Sequence, residues 1–295
     1  MKNIFFICLC ALFAFTGCAD DDDDLLTGGN VDIDLLPDSK PNDVVNTNVF
    51  DIINLNYPGL EKVKEFYETG EYYYAANALL EYYRTRTNVT NPNLSLINVT
   101  ISEADQAKAD YALEDYRFHV NNFYEDQETL KPYSLKKDGT INWTFSPEGA
   151  SDEYQKQLHR HQWFIPQAKA YRISGSEKYI QSWIEVYNNW INQNPKPESG
   201  TNTTSWWQLQ VATRINDQVQ LLEYFKNSIN FTPEWLTTFL VEFAEQADFL
   251  VDYPYESGGN ILISQANALA TAGTLMPEFK NAEKWMETGY QILSE

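Results

Sequence analysis

From Leu60 onward, apolar and aromatic side chains recur three and four residues apart, in paired runs separated by short breaks. Such spacing gathers the apolar groups into one stripe on a helix, and a helix with one such stripe needs a partner to cover it. The spacing therefore predicts helical hairpins. Leu60–Tyr67 is followed by a break at Gly70 and then by Tyr72–Tyr83. A further helix is expected to open at Ser102, with Glu103 and Asp105 in its first turn, and to run through Ala107, Tyr111, Leu113 and Tyr116. Leu158–Ile173 pairs with Glu177–Asn192, and Ser205–Phe225 with a helix from Thr232-Pro233-Glu234 to Val251. Asn260–Ala272 and Pro277 to the last residue form the final pair. The one β signal is Tyr133–Trp143, where Asp138-Gly139 suits a tight turn between two short strands.

Successive hairpins without a strong fixed repeat suit an (α/α) toroid or a tetratricopeptide-like solenoid, and periodicity alone does not choose between them. Gln291–Glu295 carries no helix stop signal, so the sequence is expected to be part of a longer protein.

The N-terminus reads as an address. Lys2 precedes the apolar run Ile4–Phe15, which is too short to span a bilayer comfortably and gives way to Thr16-Gly17 before Cys18. Residues 1–17 are expected to be a signal peptide. Phe15-Thr16-Gly17-Cys18 resembles a bacterial lipobox, which predicts lipidation of Cys18 and a membrane-anchored protein of the periplasm or outer membrane. The aspartates Asp20 to Asp24 resemble the acidic surface-export signal of Bacteroides-type lipoproteins and equally suit a solvated tether. Residues 18–48 are expected to be that tether, and 49–295 the folded domain.

Charge and cysteine usage remove whole classes of function. With 42 acidic against 21 basic side chains the formal charge is -21, which argues against nucleic-acid partners held by their phosphates. A polyanionic sugar would also be repelled at long range, so a site for one requires Lys and Arg gathered locally. Cys8, Cys10 and Cys18 all lie within the first eighteen residues, which leaves the folded part without thiol chemistry, disulfides or Cys-ligated metal.

Three constellations carry candidate chemistry. Asn260 follows Ser257-Gly258-Gly259 and opens a helix whose polar stripe is Asn260, Ser264 and Asn267. Its amide, with the free N–H groups of the helix start, suits an anionic group such as a uronate carboxylate; the plain alternative is an N-cap. Arg214 lies on a helix with Trp207 and Gln208 at its start, where a ring can stack on sugar C–H surfaces and a guanidinium can fork onto an acid. The alternative is a packed tryptophan and a structural Arg. His159, Arg160, His161, Gln162 and Trp163, with Lys156, form the densest basic patch near any histidine. Two histidines two residues apart point to different helix faces, which disfavours a shared metal. His119 sits among aromatics and reads as a packing residue, and no Gly-rich phosphate loop, Gly-x-Ser-x-Gly elbow or His-Glu-x-x-His helix is present.

The ordered segments Leu158–Phe164, Ser205–Arg214 and Gly258-Gly259-Asn260, followed by Pro277-Glu278-Phe279, resemble the heparinase II/III family over roughly residues 50 to 295. The resemblance is strongest to its heparan-sulfate lyases. It implies an all-α (α/α) toroid with a small inserted β-hairpin, and a C-terminal β-sandwich outside this sequence. It also implies β-elimination, in which the C5 proton of a uronic acid is removed and the C4-linked sugar expelled. That proton is weakly acidic beside a charged carboxylate, so the carboxylate must be neutralised, a base supplied and the leaving oxygen protonated. The resemblance gives the neutralising role to Asn260; substrate contacts are expected, from the residues themselves, at Arg214, Trp207, Gln208, His161 and Arg160. The family's catalytic Tyr and second catalytic His have no counterpart here, so the chain alone is expected to be inactive. Ile261 stands where many relatives have His. The implied partner is heparan sulfate or a related uronate polymer, and the chemistry requires no cofactor. A SusD-like non-catalytic glycan-binding lipoprotein is the rival reading.

Overall fold

A computed structural model of the chain describes residues 42–120, 133–199 and 204–294. The expected signal peptide, Cys18 and most of the tether lie outside the described residues. Its end does not. Asn42 Oδ1 accepts from Tyr73 N at 3.1 Å, and its Nδ2 donates to Gly70 O at 2.8 Å. Val45 is buried, and Asn46 N donates to Thr237 Oγ1 at 3.0 Å. The folded body thus takes in residues 42–48, which read as linker because the groups that hold them lie far along the chain.

Eleven helices are described: α1 Val49–Ile52, α2 Glu61–Glu68, α3 Tyr72–Thr85, α4 Glu103–Tyr111, α5 Glu153–Leu158, α6 Phe164–Ser174, α7 Lys178–Gln193, α8 Gln208–Phe225, α9 Pro233–Asp252, α10 Asn260–Leu275 and α11 Ala282–Ser294. Two caps form as their sequences dictate. Ser102 Oγ accepts from Asp105 N at 3.1 Å, and Thr232 Oγ1 from Trp235 N at 3.3 Å ahead of Pro233. Helix α4 stops at Tyr111, short of the expected Tyr116. Strands β1 (Lys136–Lys137) and β2 (Thr140–Ile141) pair antiparallel, with Lys136 opposite Ile141. Asp138 (φ 51°) and Gly139 (φ 81°) both take the left-handed conformation that a two-residue hairpin turn demands.

Neighbours in sequence pack as pairs, α2 with α3, α6 with α7, α8 with α9 and α10 with α11, while α8 also packs against α6 and α10. This all-α hairpin succession with one small hairpin is the toroid architecture expected. The core between the pairs is strongly aromatic: Trp183 stacks on Phe225 at 5.1 Å and meets Trp235 edge-on at the same distance. Pair α10–α11 touches backbone to backbone. A Cβ on Gly273 would sit 2.2 Å from Ala282 O, and one on Gly289 2.6 Å from Ala266 O.

A clasp joins sequence-distant segments. Ile53 bridges Phe279, Asn54 N donates to Glu278 O at 2.8 Å, and Lys280 N donates to Ile52 O at 2.9 Å. Beneath it the Glu278 carboxylate accepts from Arg86 Nη1 at 2.7 Å and from Tyr82 OH at 2.8 Å.

Candidate active site

The run expected as one helix over Leu158–Ile173 is broken. Helix α5 ends at Leu158, α6 begins at Phe164, and His161 between them has φ 59°. Residues His159–Trp163 therefore form a turn, and the basic patch is not a helix start. His161 sits inside an aromatic cage of Trp143, Trp163, Phe164, Tyr187 and Trp190, with ring centroids 5.0–5.8 Å away. Burial, with Arg214 nearby, holds its imidazole neutral by pushing its pKa far below the usual value. His159 is likewise driven down, to about 3, first by burial and then by Arg214. Its Nδ1 accepts from Trp190 Nε1 at 3.1 Å, which puts any ring proton on Nε2.

Arg214, expected to reach a sugar acid, is 1% exposed. Its Nη1 donates to the carbonyls of His159 and Ser205, both at 2.8 Å, and its Nε to Gln246 Oε1 at 2.7 Å. The guanidinium carbon lies 4.3 Å from the Trp190 ring centre and 5.7 Å from that of Trp206. This cation holds the turn together and does not face solvent. Gln246 and Gln218 both donate to Tyr187 OH, which extends the network across α7, α8 and α9. Arg160, His161, Arg214, Asp217 and Gln218 line a cavity of about 10 Å³, room for about one water-sized sphere. No sugar enters such a space. Arg160 is also buried and pairs with Glu153 at 3.2 Å, while Lys156 pairs with Asp152 at 2.8 Å. The patch thus carries its own counter-charges, and the local excess of cations expected for a polyanion is not found there.

Trp207 lies nearer the surface, whereas Gln208 is buried. Trp207 is half-buried at the cap of α8, with Lys156 Nζ 5.2 Å from its ring centre. The pair keeps an aromatic face beside a cation. Gln208 Nε2 donates to Tyr253 O at 2.9 Å, so its amide fastens the segment after α9.

Asn260 is exposed at the start of α10. The cap position belongs to Gly259, whose φ of 106° is a conformation that side chains rarely adopt. Asn260 is thus the first residue of the helix proper, and its side chain is not the N-cap that local sequence allowed. The stripe Asn260, Ser264 and Asn267 faces outward: Asn260 and Asn267 are exposed and Ser264 is half-buried. Ser264 Oγ donates to Asn260 O at 2.8 Å, and Asn267 Nδ2 to Asn216 Oδ1 at 3.4 Å. An exposed amide beside first-turn N–H groups that the helix does not use is a donor set suited to a carboxylate.

Residues 49–295 match the family model for the heparinase II/III N-terminus. The chain belongs to the heparinase II/III family. It is 89% identical over all 295 residues to a heparin-sulfate lyase of Bacteroides thetaiotaomicron, of whose length it spans 42%. A heparin-sulfate lyase of Bacteroides stercoris is 39% identical over 267 residues, 85% of this chain and 39% of that protein. A crystal structure of heparinase III superposes with a TM-score of 0.82 at 88% identity, covering 85% of this chain and 38% of that one. Membership favours the lyase reading over the SusD-like binder. Sequence reasoning missed Tyr187, Gln246 and Gln265, since uncharged residues scattered over several helices give no local signal.

Proposed function

We propose that this chain supplies the N-terminal, carboxylate-neutralising part of a heparan-sulfate lyase acting by β-elimination. The observation that carries the reading is 89% identity over the whole chain to a heparin-sulfate lyase. Charge on the uronate opposes removal of the neighbouring proton, and the opposition peaks as negative charge spreads toward C5 and the carboxylate. The Asn260 amide, with the first-turn N–H groups of α10, meets that charge with fixed dipoles. Trp207 offers a face for sugar C–H surface beside Lys156, and Gln208 acts by holding the loop that leads to Asn260. Arg214, His161 and Arg160 act behind the surface as its support, while proton transfer falls to groups outside this chain.

The test is a chimera in which this chain replaces the matching residues of the Bacteroides thetaiotaomicron lyase. It is expected to release unsaturated uronate product from heparan sulfate, and Asn260→Ala to lower kcat about 100-fold with little change in KM. An inert but folded chimera, or near-normal kcat in Asn260→Ala, would sink the reading.

Export is proposed as well. The apolar run before Gly17-Cys18 and the acidic stretch after it support a lipid anchor on Cys18 in the periplasm or outer membrane. Mass spectrometry of the mature N-terminus decides this, and an unmodified Cys18 would exclude the anchor.

A further inference from the structure

Helix α9 ends at Asp252, and residue 254 is Pro254. In a helix the carbonyl of Leu250 would accept from the N–H four residues on, but proline has none. Leu250 is fully buried, so an unpaired carbonyl there would be costly. Gln265, itself 0% exposed on α10, supplies the missing donor: its Nε2 donates to Leu250 O at 2.9 Å. The other half of the same amide is also used, since Gln265 Oε1 accepts from Tyr255 N at 2.9 Å. One side chain therefore replaces the bond that Pro254 removes and catches the first N–H beyond the proline. Gln208 secures the residue between, through Tyr253 O at 2.9 Å.

We propose that Gln265 is a positioning residue for Asn260, setting where α10 begins relative to the end of α9. This rests on the reading of Asn260 as the carboxylate-neutralising group. The connection from Tyr253 to Gly259 contains Pro254, Gly258 and Gly259 and is exposed or half-buried throughout. Tyr253 is also held at the helix end by its N–H bond to Phe249 O at 2.9 Å and by its ring 5.2 Å from that of Phe249, and the two side-chain amides add the bonds at Tyr253 O and Tyr255 N. Asn260 is the first helical residue after it and lies five positions before Gln265 on the same helix. A shift of α10 against α9 would thus carry Asn260 with it, and misplacement of about 1 Å at a catalytic group costs up to about 100-fold in rate. Both amide atoms are required in defined roles, one donating and one accepting, which separates this function from packing alone.

The experiment uses the chimera described above, with Gln265→Met, Gln265→Glu and, as a reference, Asn260→Ala. Gln265→Met keeps the volume and loses both hydrogen bonds. It is expected to lower kcat at least about tenfold with KM within about twofold, and to speed hydrogen exchange at Tyr255 N–H. Gln265→Glu should be impaired near neutral pH, where an ionised carboxylate cannot donate to Leu250 O. As pH falls, a protonated carboxyl both donates and accepts, so kcat should return toward that of the unsubstituted chimera at the same pH. Unchanged kcat in Gln265→Met, with a strong loss in Asn260→Ala, would overturn the positioning role and leave the lyase reading standing. Unchanged kcat in Asn260→Ala would instead remove the reading on which the role rests. Failure of Gln265→Glu to regain kcat on acidification, relative to the unsubstituted chimera at the same pH, would also overturn the proposal.

Discussion

Arg214 Nη1 donates to the carbonyl oxygen of His159 at 2.8 Å, joining the middle of α8 to the turn that separates α5 from α6. That carbonyl has no helical partner because the helix stops at Leu158, and the buried cation completes it. Arg214 is itself held short of its ordinary basicity by burial, at about 10, and remains charged at neutral pH.

Replacement of Arg214 by Met should therefore remove a charged donor from the carbonyls of His159 and Ser205 and from Gln246 Oε1. The expected cost is on the order of 3 kcal/mol or more, since each buried unpaired acceptor costs about 1–3 kcal/mol. Urea unfolding followed by tryptophan fluorescence measures it. A variant as stable as the parent would show that the network is incidental.

Asp217 gives a pH dependence of defined sign. Burial pushes its carboxyl up to about 7 in the folded chain, against 3.8 for a free side chain. Below about pH 4 both states hold the proton. As pH rises from there to about 7 the unfolded state releases it first, and the folded state loses stability. Asp217→Asn should abolish this loss, so its stability relative to the parent should rise between pH 4 and pH 8 by on the order of 4 kcal/mol. Equal pH profiles from urea melts would refute the assignment. Glu242, raised to about 7 chiefly by burial, adds a loss of the same sign in both proteins. His159 works the other way, losing stability as pH falls from about 6.5 toward 3.

The α10–α11 contact leaves no room for a methyl group. Gly289→Ala would bring a Cβ to 2.6 Å from both Ala266 O and Ala270 N, backbone atoms that cannot rotate away. Helix α11 must move outward, at a cost of about 1–3 kcal/mol. Gly70→Ala offers a comparison, since nothing lies within 4 Å of its Cβ although its φ of +79° brings backbone strain. Crystal structures of both variants would separate the two causes: only Gly289→Ala should displace α11.

Glu278→Gln should be among the more damaging single changes. The Glu278 side chain is fully buried against Arg86, whose side chain is 2% exposed. Losing the charge leaves Arg86 with Glu223 at 3.0 Å as its remaining ion-pair partner. A loss of roughly 3–5 kcal/mol is expected in a thermal or urea melt; a change under about 1 kcal/mol would mean that Glu223 suffices.

Features set by neighbours in sequence were legible before any coordinates. Ser102, Thr232-Pro233-Glu234 and Asp138-Gly139 each act within a few residues, and each appears as the pattern requires. Features set by distant groups were not. The turn at His159–Trp163 follows an unbroken helical spacing and owes its shape to Arg214, 55 positions away. Residues 42–48 look like linker until Gly70, Tyr73 and Thr237 are seen holding them. Polarity could suggest that Arg214 and His161 touch a ligand; only packing shows both enclosed. For Asn260, composition and spacing left a carboxylate-binding amide and a helix cap both open, and the family resemblance supplied the role that its exposed place at the start of α10 suits.

The clasp between Ile52–Asn54 and Glu278–Lys280 also bears on the order in which the molecule assembles. Lys280 Nζ reaches Asp51 O at 2.6 Å across 229 positions of chain. Closing so long a loop early would restrict the chain before compensating contacts exist, whereas hairpins such as α2–α3 or α6–α7 close locally and fast. The hairpins are therefore expected to form during synthesis, with Ile53 left without its strand partner until Phe279 has emerged. During that interval an apolar segment near the beginning of the fold stays uncovered, and a chaperone has a natural place to hold the chain.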